Sequence, residues 1–187
     1  MCSSDLSGKT TLVASYLKER RIRSVWYQVD ESDADPATFF YYMRHAAKII
    51  APRRRACLPL LKPEYQMVLP HFSLRYFEQL FERMPEHSVI VLDNYQDVPD
   101  PSSFHSVIRQ GLSTVPRGLH MVIISRNEPP SEMARLEANR QMATIGWNDL
   151  RLSPEETEGL VGLLVHEPLS HEKIEEFHNL AGGWAAG

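Results

Sequence analysis

Three short runs of β-branched and other apolar residues, separated by longer segments with helical periodicity, constrain the fold of this chain more than any other feature. The runs cover residues 24–30, 88–93 and 119–125. Strands that alternate with helices in this way predict an α/β fold, with a parallel sheet and right-handed crossover helices on both faces. In open sheets of this kind, ligands bind beyond the carboxyl ends of the strands. The residues that follow the three runs are therefore the first candidates for a site.

Apolar residues three or four positions apart predict the intervening helices. The dipeptides Asp35-Pro36 and Asp100-Pro101 each predict a helix start. The first helix follows Gly8, and four of its side chains are expected to pack against a core: Leu12, Val13, Tyr16 and Leu17. A short fourth strand is predicted near residues 142–145. Only helices are predicted after it, the first with a capping box at Ser153.

A glycine, a lysine and two hydroxyl residues stand directly before the first predicted helix: Gly8, Lys9, Thr10 and Thr11. They match the second half of the P-loop pattern G-x-x-x-x-G-K-[ST], in which backbone N–H groups and the lysine hold phosphates and the hydroxyl holds magnesium. Ser3 occupies the position of the first glycine, and no apolar run precedes it. Taken alone, the sequence Gly8-Lys9-Thr10 is a weak signal for a P-loop, and a solvated turn before a helix is the competing interpretation.

Two charged residues at the ends of predicted strands support a phosphate site. Asp93 closes the second apolar run, and Arg126 follows the third. A magnesium ion that bridges the terminal phosphates of ATP needs a hydroxyl and a carboxylate, which Thr10 and Asp93 supply. An arginine on the neighbouring strand can sense the γ-phosphate. Singly, Asp93 could be a turn residue and Arg126 a surface cation, but together they predict a nucleotide site with Lys9, Asp93 and Arg126 as its catalytic residues.

Six segments along nearly the whole chain from Ser7 to Gly187 carry a family resemblance. They are Gly8 to Leu12, Trp26 to Phe39, Val89 to Tyr95, Ile124 to Arg126 before Pro129-Pro130, Asn148 to Leu152, and Gly182 to Trp184. In these segments the chain resembles the STAND signal-transduction ATPases of the AAA-like P-loop class, in particular the MalT-like, LuxR-type bacterial transcriptional regulators.

The resemblance implies a fold and a domain order. A P-loop NTPase domain over residues 1–149, a three-layer sandwich around a mostly parallel AAA-like sheet that lacks its first strand, would be followed over 150–187 by the start of a helical lid or winged-helix domain. It also implies a fragment truncated at both ends, and residues 1–6, which read like a translated sequencing adapter, are expected not to be native.

The resemblance also implies a function. ATP and Mg²⁺ are the implied cofactors, with ATP held by Lys9 and Thr10, magnesium held through Asp93, and the nucleotide sensed by Arg126. The nucleotide state would control self-association of the full-length protein and its DNA binding through a domain beyond this segment. Asn94 stands where the family has a second acidic residue, and an amide cannot accept a proton from the attacking water. Hydrolysis is therefore expected to be slow.

Composition narrows the partners of this segment. The formal net charge is -4, from 24 acidic and 20 basic side chains, which gives no reason to expect direct DNA binding here. The run Arg53-Arg54-Arg55 is read as a solvated loop, and His166, His171 and His178 as surface residues.

Cys2 and Cys57 are too few for a disulfide framework or a thiolate metal site, which favours a reducing, cytoplasmic setting. No run is long and apolar enough to predict a membrane segment.

Two other functions fit the same residues. The chain could be a scaffold or interaction module whose degenerate P-loop no longer binds nucleotide. It could also be a STAND NTPase with a non-transcriptional effector, such as a toxin or immune NTPase. The native residues before Gly8 discriminate the first alternative from an ATPase, because an apolar strand and a first glycine would complete the phosphate loop.

Overall fold

The computed structural model describes residues 8–50, 57–165 and 170–183. Ser3, Cys2, Arg53 to Arg55, His166 and Trp184, on which some of the predictions depend, lie outside these ranges. The described chain divides into two units. One is Ala14–Met142, and the other contains the described residues before Ala14 and those from Ala143 onward. The domain boundary predicted at 149/150 stays a prediction.

A three-stranded parallel sheet forms the centre of the unit Ala14–Met142. In spatial order its strands are β1 (Ser24–Gln28), β2 (Val89–Asp93) and β3 (His120–Ile123). All five residues of the central strand β2 are buried, which explains why its sequence is continuously apolar rather than alternating. Gln28 at the end of β1 lies opposite Asp93 at the end of β2. The predicted α/β fold with a parallel sheet is confirmed.

Eight α-helices occur within the described ranges. They are α1 (Lys9–Glu19), α2 (Pro36–Ile50), α3 (Leu69–Phe81), α4 (Ser103–Ser113), α5 (Ala134–Ala138), α6 (Trp147–Leu150), α7 (Pro154–Leu164) and α8 (His171–Ala181). Short 3₁₀ turns lie at Glu31–Ala34, Pro63–Val68, Tyr95–Asp97 and Ser131–Met133. The predicted helix starts at Asp35-Pro36 and Ser153 are confirmed, since Asp35 accepts from the Ala37 N–H and Ser153 forms the capping box with Glu156.

Helices α2, α3 and α4 share a core with one face of the sheet. Tyr27 of β1 and Ile90 and Leu92 of β2 belong to this core. Its centre is a set of fully buried aromatic rings: Phe39, Phe40, Tyr76, Phe77 and Phe104. Edge-to-face contacts join them, as between Phe39 and Phe104, whose ring centroids are 5.3 Å apart. Burial of these large side chains is the main source of stability for this unit.

Three local predictions about the strands and helices of the chain are wrong. Residues 142–145 form no strand, because a strand needs a hydrogen-bonded neighbour and β3 pairs only with β2 in the described sheet. The helix expected from Asp100-Pro101 begins instead at Ser103, where the Ser102 hydroxyl accepts from the Phe104 N–H. In α1, Leu17 is buried but Leu12 and Tyr16 are each 54% exposed. Periodicity finds the apolar side of a helix but does not show whether another element covers it.

Two of the segments that carry the family resemblance meet in the second unit. Helix α8 is followed directly by Gly182 and Gly183, which both have positive φ. The Gly183 carbonyl accepts from the Leu152 N–H at 2.9 Å, and a Cβ at Gly183 would come within 2.4 Å of Cγ of Arg151. This position therefore requires glycine, both for its φ and for the close approach of Arg151.

A buried hydroxyl joins α7 to α8. The Thr157 hydroxyl donates to the Ser153 carbonyl at 3.0 Å and lies 2.8 Å from Nδ1 of His178. His178, predicted to be a surface residue, is therefore buried, and so is Thr157. Because the hydroxyl has only one hydrogen, Nδ1 of His178 must donate to it.

Thr157→Val is expected to lower the free energy of unfolding by about 0.5–1.5 kcal/mol, since it removes the buried hydrogen bond between Thr157 and His178. Chemical denaturation followed by circular dichroism would measure the change. Thr157→Ser, which keeps the hydroxyl, should retain most of the stability. Equal losses in the two variants would mean that the methyl group, not the hydrogen bond, matters here.

Candidate functional site

Asp93 lies at the carboxyl edge of the sheet, at the end of the central strand. It is 3% exposed, and its Oδ1 accepts from the backbone N–H of Asn94 at 3.0 Å. Asn94 has left-handed backbone angles (φ 57°, ψ 37°), so the chain turns sharply directly after the carboxylate. Asparagine tolerates this conformation better than most residues. The carboxylate is thus held at a fixed place by the strand and by the turn.

Arg126 follows the neighbouring strand at the same edge. The β2–β3 hydrogen bonding continues past the strand ends, because the Ile124 N–H donates to the Leu92 carbonyl at 2.8 Å and the Tyr95 N–H donates to the Ile124 carbonyl at 3.0 Å. Two residues further on, the Arg126 N–H donates to Oε1 of Gln96 at 3.1 Å. The sheet therefore brings Asp93 and the exposed Arg126 to adjacent strand ends, as the sequence predicts.

The phosphate-loop residues stand at the start of α1. Gly8 has φ +67°, in the region that glycine favours, and its carbonyl accepts the first helical bond from the Leu12 N–H at 2.7 Å. Lys9 is half-buried and Thr10 is exposed. In any helix the N–H groups of the first turn point toward the N-terminal end, where anions bind. The roles of Gly8, Lys9, Thr10 and Thr11 in nucleotide binding stay predictions.

The chemistry of the candidate ligands suits magnesium better than a softer metal. Thr10 carries a hydroxyl and Asp93 a carboxylate, the kinds of hard oxygen donor that Mg²⁺ takes, and their joint role at one magnesium site stays a prediction. Within the described ranges, no three His, Cys, Asp or Glu side chains gather as a metal site. Mg²⁺ normally keeps several waters and binds through one or two protein oxygens plus substrate phosphates, so a single carboxylate is enough for it.

A buried carboxylate in the 3₁₀ turn that follows β1 was not among the candidates predicted from the sequence. Asp33 is 1% exposed; its Oδ1 accepts from the Tyr27 hydroxyl at 2.6 Å, and its Oδ2 accepts from the Asp30 N–H at 3.0 Å. Burial raises the pKa of Asp33, although both hydrogen bonds oppose that shift. Burial and the bond to Asp33 also raise the pKa of Tyr27, which stays a donor. The signal in the sequence was the reciprocal cap Asp30-x-x-Asp33.

The chain is similar to curated transcriptional regulators. No protein-family model matches it. It is 29% identical over 181 residues to the HTH-type transcriptional regulator MalT of Vibrio cholerae, covering 95% of this chain and 19% of that protein. The MalT proteins of Yersinia enterocolitica and Cronobacter sakazakii are 26% and 25% identical over 95% of the chain, which covers 20% of each. The chain is thus related to MalT-like regulators and spans about a fifth of their length.

The helices of the described ranges were compared with the length and apolarity that a membrane-spanning helix needs. None of the helices there is long and apolar enough to cross a bilayer.

Proposed function

We propose that this segment is the ATP-binding switch module of a cytoplasmic bacterial transcriptional regulator. The observation that carries the proposal is the placement of Asp93 and Arg126 at adjacent strand ends of a parallel sheet, in a chain that also contains Gly8-Lys9-Thr10-Thr11. Similarity to MalT proteins over 95% of the chain supports the regulatory role.

In the proposed site each group has one task. Lys9 and the N–H groups at the start of α1 bind the phosphates, with Gly8 allowing the close approach of the backbone and Thr11 completing the first turn. Magnesium, when bound, neutralises the phosphate charge. Thr10 and Asp93 would hold it. Arg126, as a cation at the end of the strand next to Asp93, senses the γ-phosphate.

The site is suited to a switch rather than to rapid turnover. Asn94 follows Asp93 directly, and its amide cannot act as a general base toward water. ATP therefore persists long enough to select one conformation of the protein, and slow hydrolysis to ADP returns it to the other. We propose that this change controls self-association of the full-length protein, and DNA binding through a domain outside this segment.

Lys9→Ala is expected to weaken ATP binding by the full-length protein at least about tenfold, because it removes the cation that pairs with the phosphates. Isothermal titration calorimetry with ATP and Mg²⁺ would measure the affinity. Lys18→Ala is the matched control, since Lys18 lies exposed in the last turn of the same helix. Unchanged affinity in Lys9→Ala would contradict the proposed site. A wild-type protein that binds no nucleotide would favour the degenerate scaffold instead.

A further inference from the structure

Residues 94–97, here called the bridging turn, link the candidate magnesium ligand to the candidate γ-phosphate sensor. The turn begins at Asn94, whose N–H donates to the Asp93 carboxylate. It closes with a bond from the Asp97 N–H to the Asn94 carbonyl at 3.0 Å. Between these points, the Tyr95 backbone and the Gln96 side chain both contact the segment that follows β3. The two strand ends are therefore joined beyond the sheet itself.

Gln96 makes the contact that reaches Arg126. Its Oε1 accepts from the Arg126 N–H at 3.1 Å, and its Nε2 donates to Oδ1 of Asp97 at 2.9 Å. A backbone N–H can only donate and a carboxylate can only accept, so both partners require the same orientation of the amide. Glutamine satisfies both contacts at once, which neither a carboxylate nor an apolar side chain can do.

Tyr95 anchors the bridging turn to the core. Its ring is buried, and its hydroxyl lies 2.9 Å from Nδ1 of His105 on α4. His105 is itself buried, and its Nε2 lies 3.3 Å from the Pro99 carbonyl. Tyr95 thus fixes the backbone of the bridging turn. The Gln96 side chain, which accepts from the Arg126 N–H, therefore projects from a fixed position.

We infer that Gln96 is a positioning residue that sets Arg126 relative to Asp93 and thereby makes the site discriminate ATP from ADP. The inference rests on the proposed function. The position of the Arg126 backbone fixes the point from which its exposed side chain projects. Gln96 holds the N–H of that backbone, in a turn that starts at the Asp93 carboxylate. A γ-phosphate bound near Asp93 would then have Arg126 held at the adjacent strand end.

The test compares ATP and ADP affinities in the full-length protein, using fluorescent analogues of the two nucleotides with Mg²⁺. Gln96→Met keeps the length of the side chain but removes its acceptor and donor. It is expected to lower the preference for ATP over ADP by about threefold to tenfold, the effect of losing the one hydrogen bond that reaches Arg126. Arg126→Ala should lower the preference at least as much, and the double variant no further, because Gln96 acts through Arg126.

Two controls separate positioning from stability. Gln110→Met alters a half-buried glutamine five residues beyond His105 on α4 and should leave the nucleotide preference unchanged. Hydrogen exchange without nucleotide should show faster exchange of the Arg126 N–H in Gln96→Met, with the global melting temperature retained. A wild-type preference in Gln96→Met would overturn the inference and leave the proposed function intact. A wild-type protein that binds neither nucleotide would overturn both.

Discussion

Replacing Gly111 by alanine is expected to lower the free energy of unfolding by about 1–2 kcal/mol, although alanine is the better helix former. Gly111 lies in α4 against the ring of Phe77 on α3. A Cβ at Gly111 would come within 2.7–2.9 Å of three atoms of that ring. Phe77 is fully buried and contacts the rings of Tyr76 and Phe81, so it cannot move aside alone.

Two opposing terms decide the sign of this change. Overpacking a well-filled core costs about 1–3 kcal/mol. The gain from replacing glycine by alanine inside a helix is only about 1 kcal/mol. With three ring atoms closer than normal contact distance, the overpacking cost lies near the top of its range and exceeds the gain.

Gly162→Ala is the matched control for Gly111→Ala. Gly162 also lies inside a helix, α7, but it is exposed and a Cβ there would meet nothing within 4 Å. The same substitution should raise the free energy of unfolding by about 0.5–1 kcal/mol there. Urea denaturation of both variants gives the comparison. Stabilisation by Gly111→Ala would show that α3 and α4 can separate without cost.

The elements that the sequence predicted well are those whose signal is local. The run that became β2 is buried on both faces, so it is continuously apolar and could be recognised without knowledge of its neighbours. The helix starts at Asp35-Pro36 and Ser153 depend on hydrogen bonds within a few residues. The position of Asp93 and Arg126 at neighbouring strand ends could be predicted because parallel strands end at the same edge of a sheet.

The errors have two causes, a nearer helix cap in one case and partners far away in the sequence in the others. Asp100-Pro101 has the same two residues as Asp35-Pro36, but Ser102 supplies a cap nearer the helix, and the helix begins there. Residues 142–145 have the composition of a strand and lack a neighbour to pair with in the described sheet. The bond between Gln96 and Arg126 spans 30 residues, and nothing in either local sequence indicates it.

Ionisation of Asp33 should make the free energy of unfolding of the unit Ala14–Met142 fall as the pH rises. Its folded-state pKa is raised, chiefly by burial, above the value of about 3.9 expected in the unfolded chain. Below the unfolded pKa the acid is neutral in both states, and its contribution to stability is fully present. As the pH rises through the folded pKa, the buried carboxyl must ionise and stability is lost, with a slope of at most about 1.4 kcal/mol per pH unit.

Asp33→Asn is expected to remove this slope. The amide oxygen can accept from the Asp30 N–H while its NH₂ donates to the Tyr27 hydroxyl oxygen, so both partners keep a hydrogen bond without a titrating group. Denaturation at a series of pH values above about 4 would show the free energy of unfolding of the variant rising relative to that of the wild type until Asp33 is fully ionised. Parallel pH profiles for the two proteins would contradict the role assigned to Asp33.

Tyr27→Phe is expected to change the same profile in the opposite direction. The Tyr27 hydroxyl stabilises the ionised form of Asp33, and its loss should raise the pKa of Asp33 further and extend the fall in stability to higher pH. Once Asp33 is ionised, the variant should be less stable than the wild type by about 1.5–3 kcal/mol, the usual value of a hydrogen bond to a charged group. At low pH, where Asp33 is neutral, the difference should shrink toward the value of a neutral hydrogen bond, about 1 kcal/mol. A difference that does not depend on pH would mean that the hydroxyl contributes packing rather than a bond to the carboxylate.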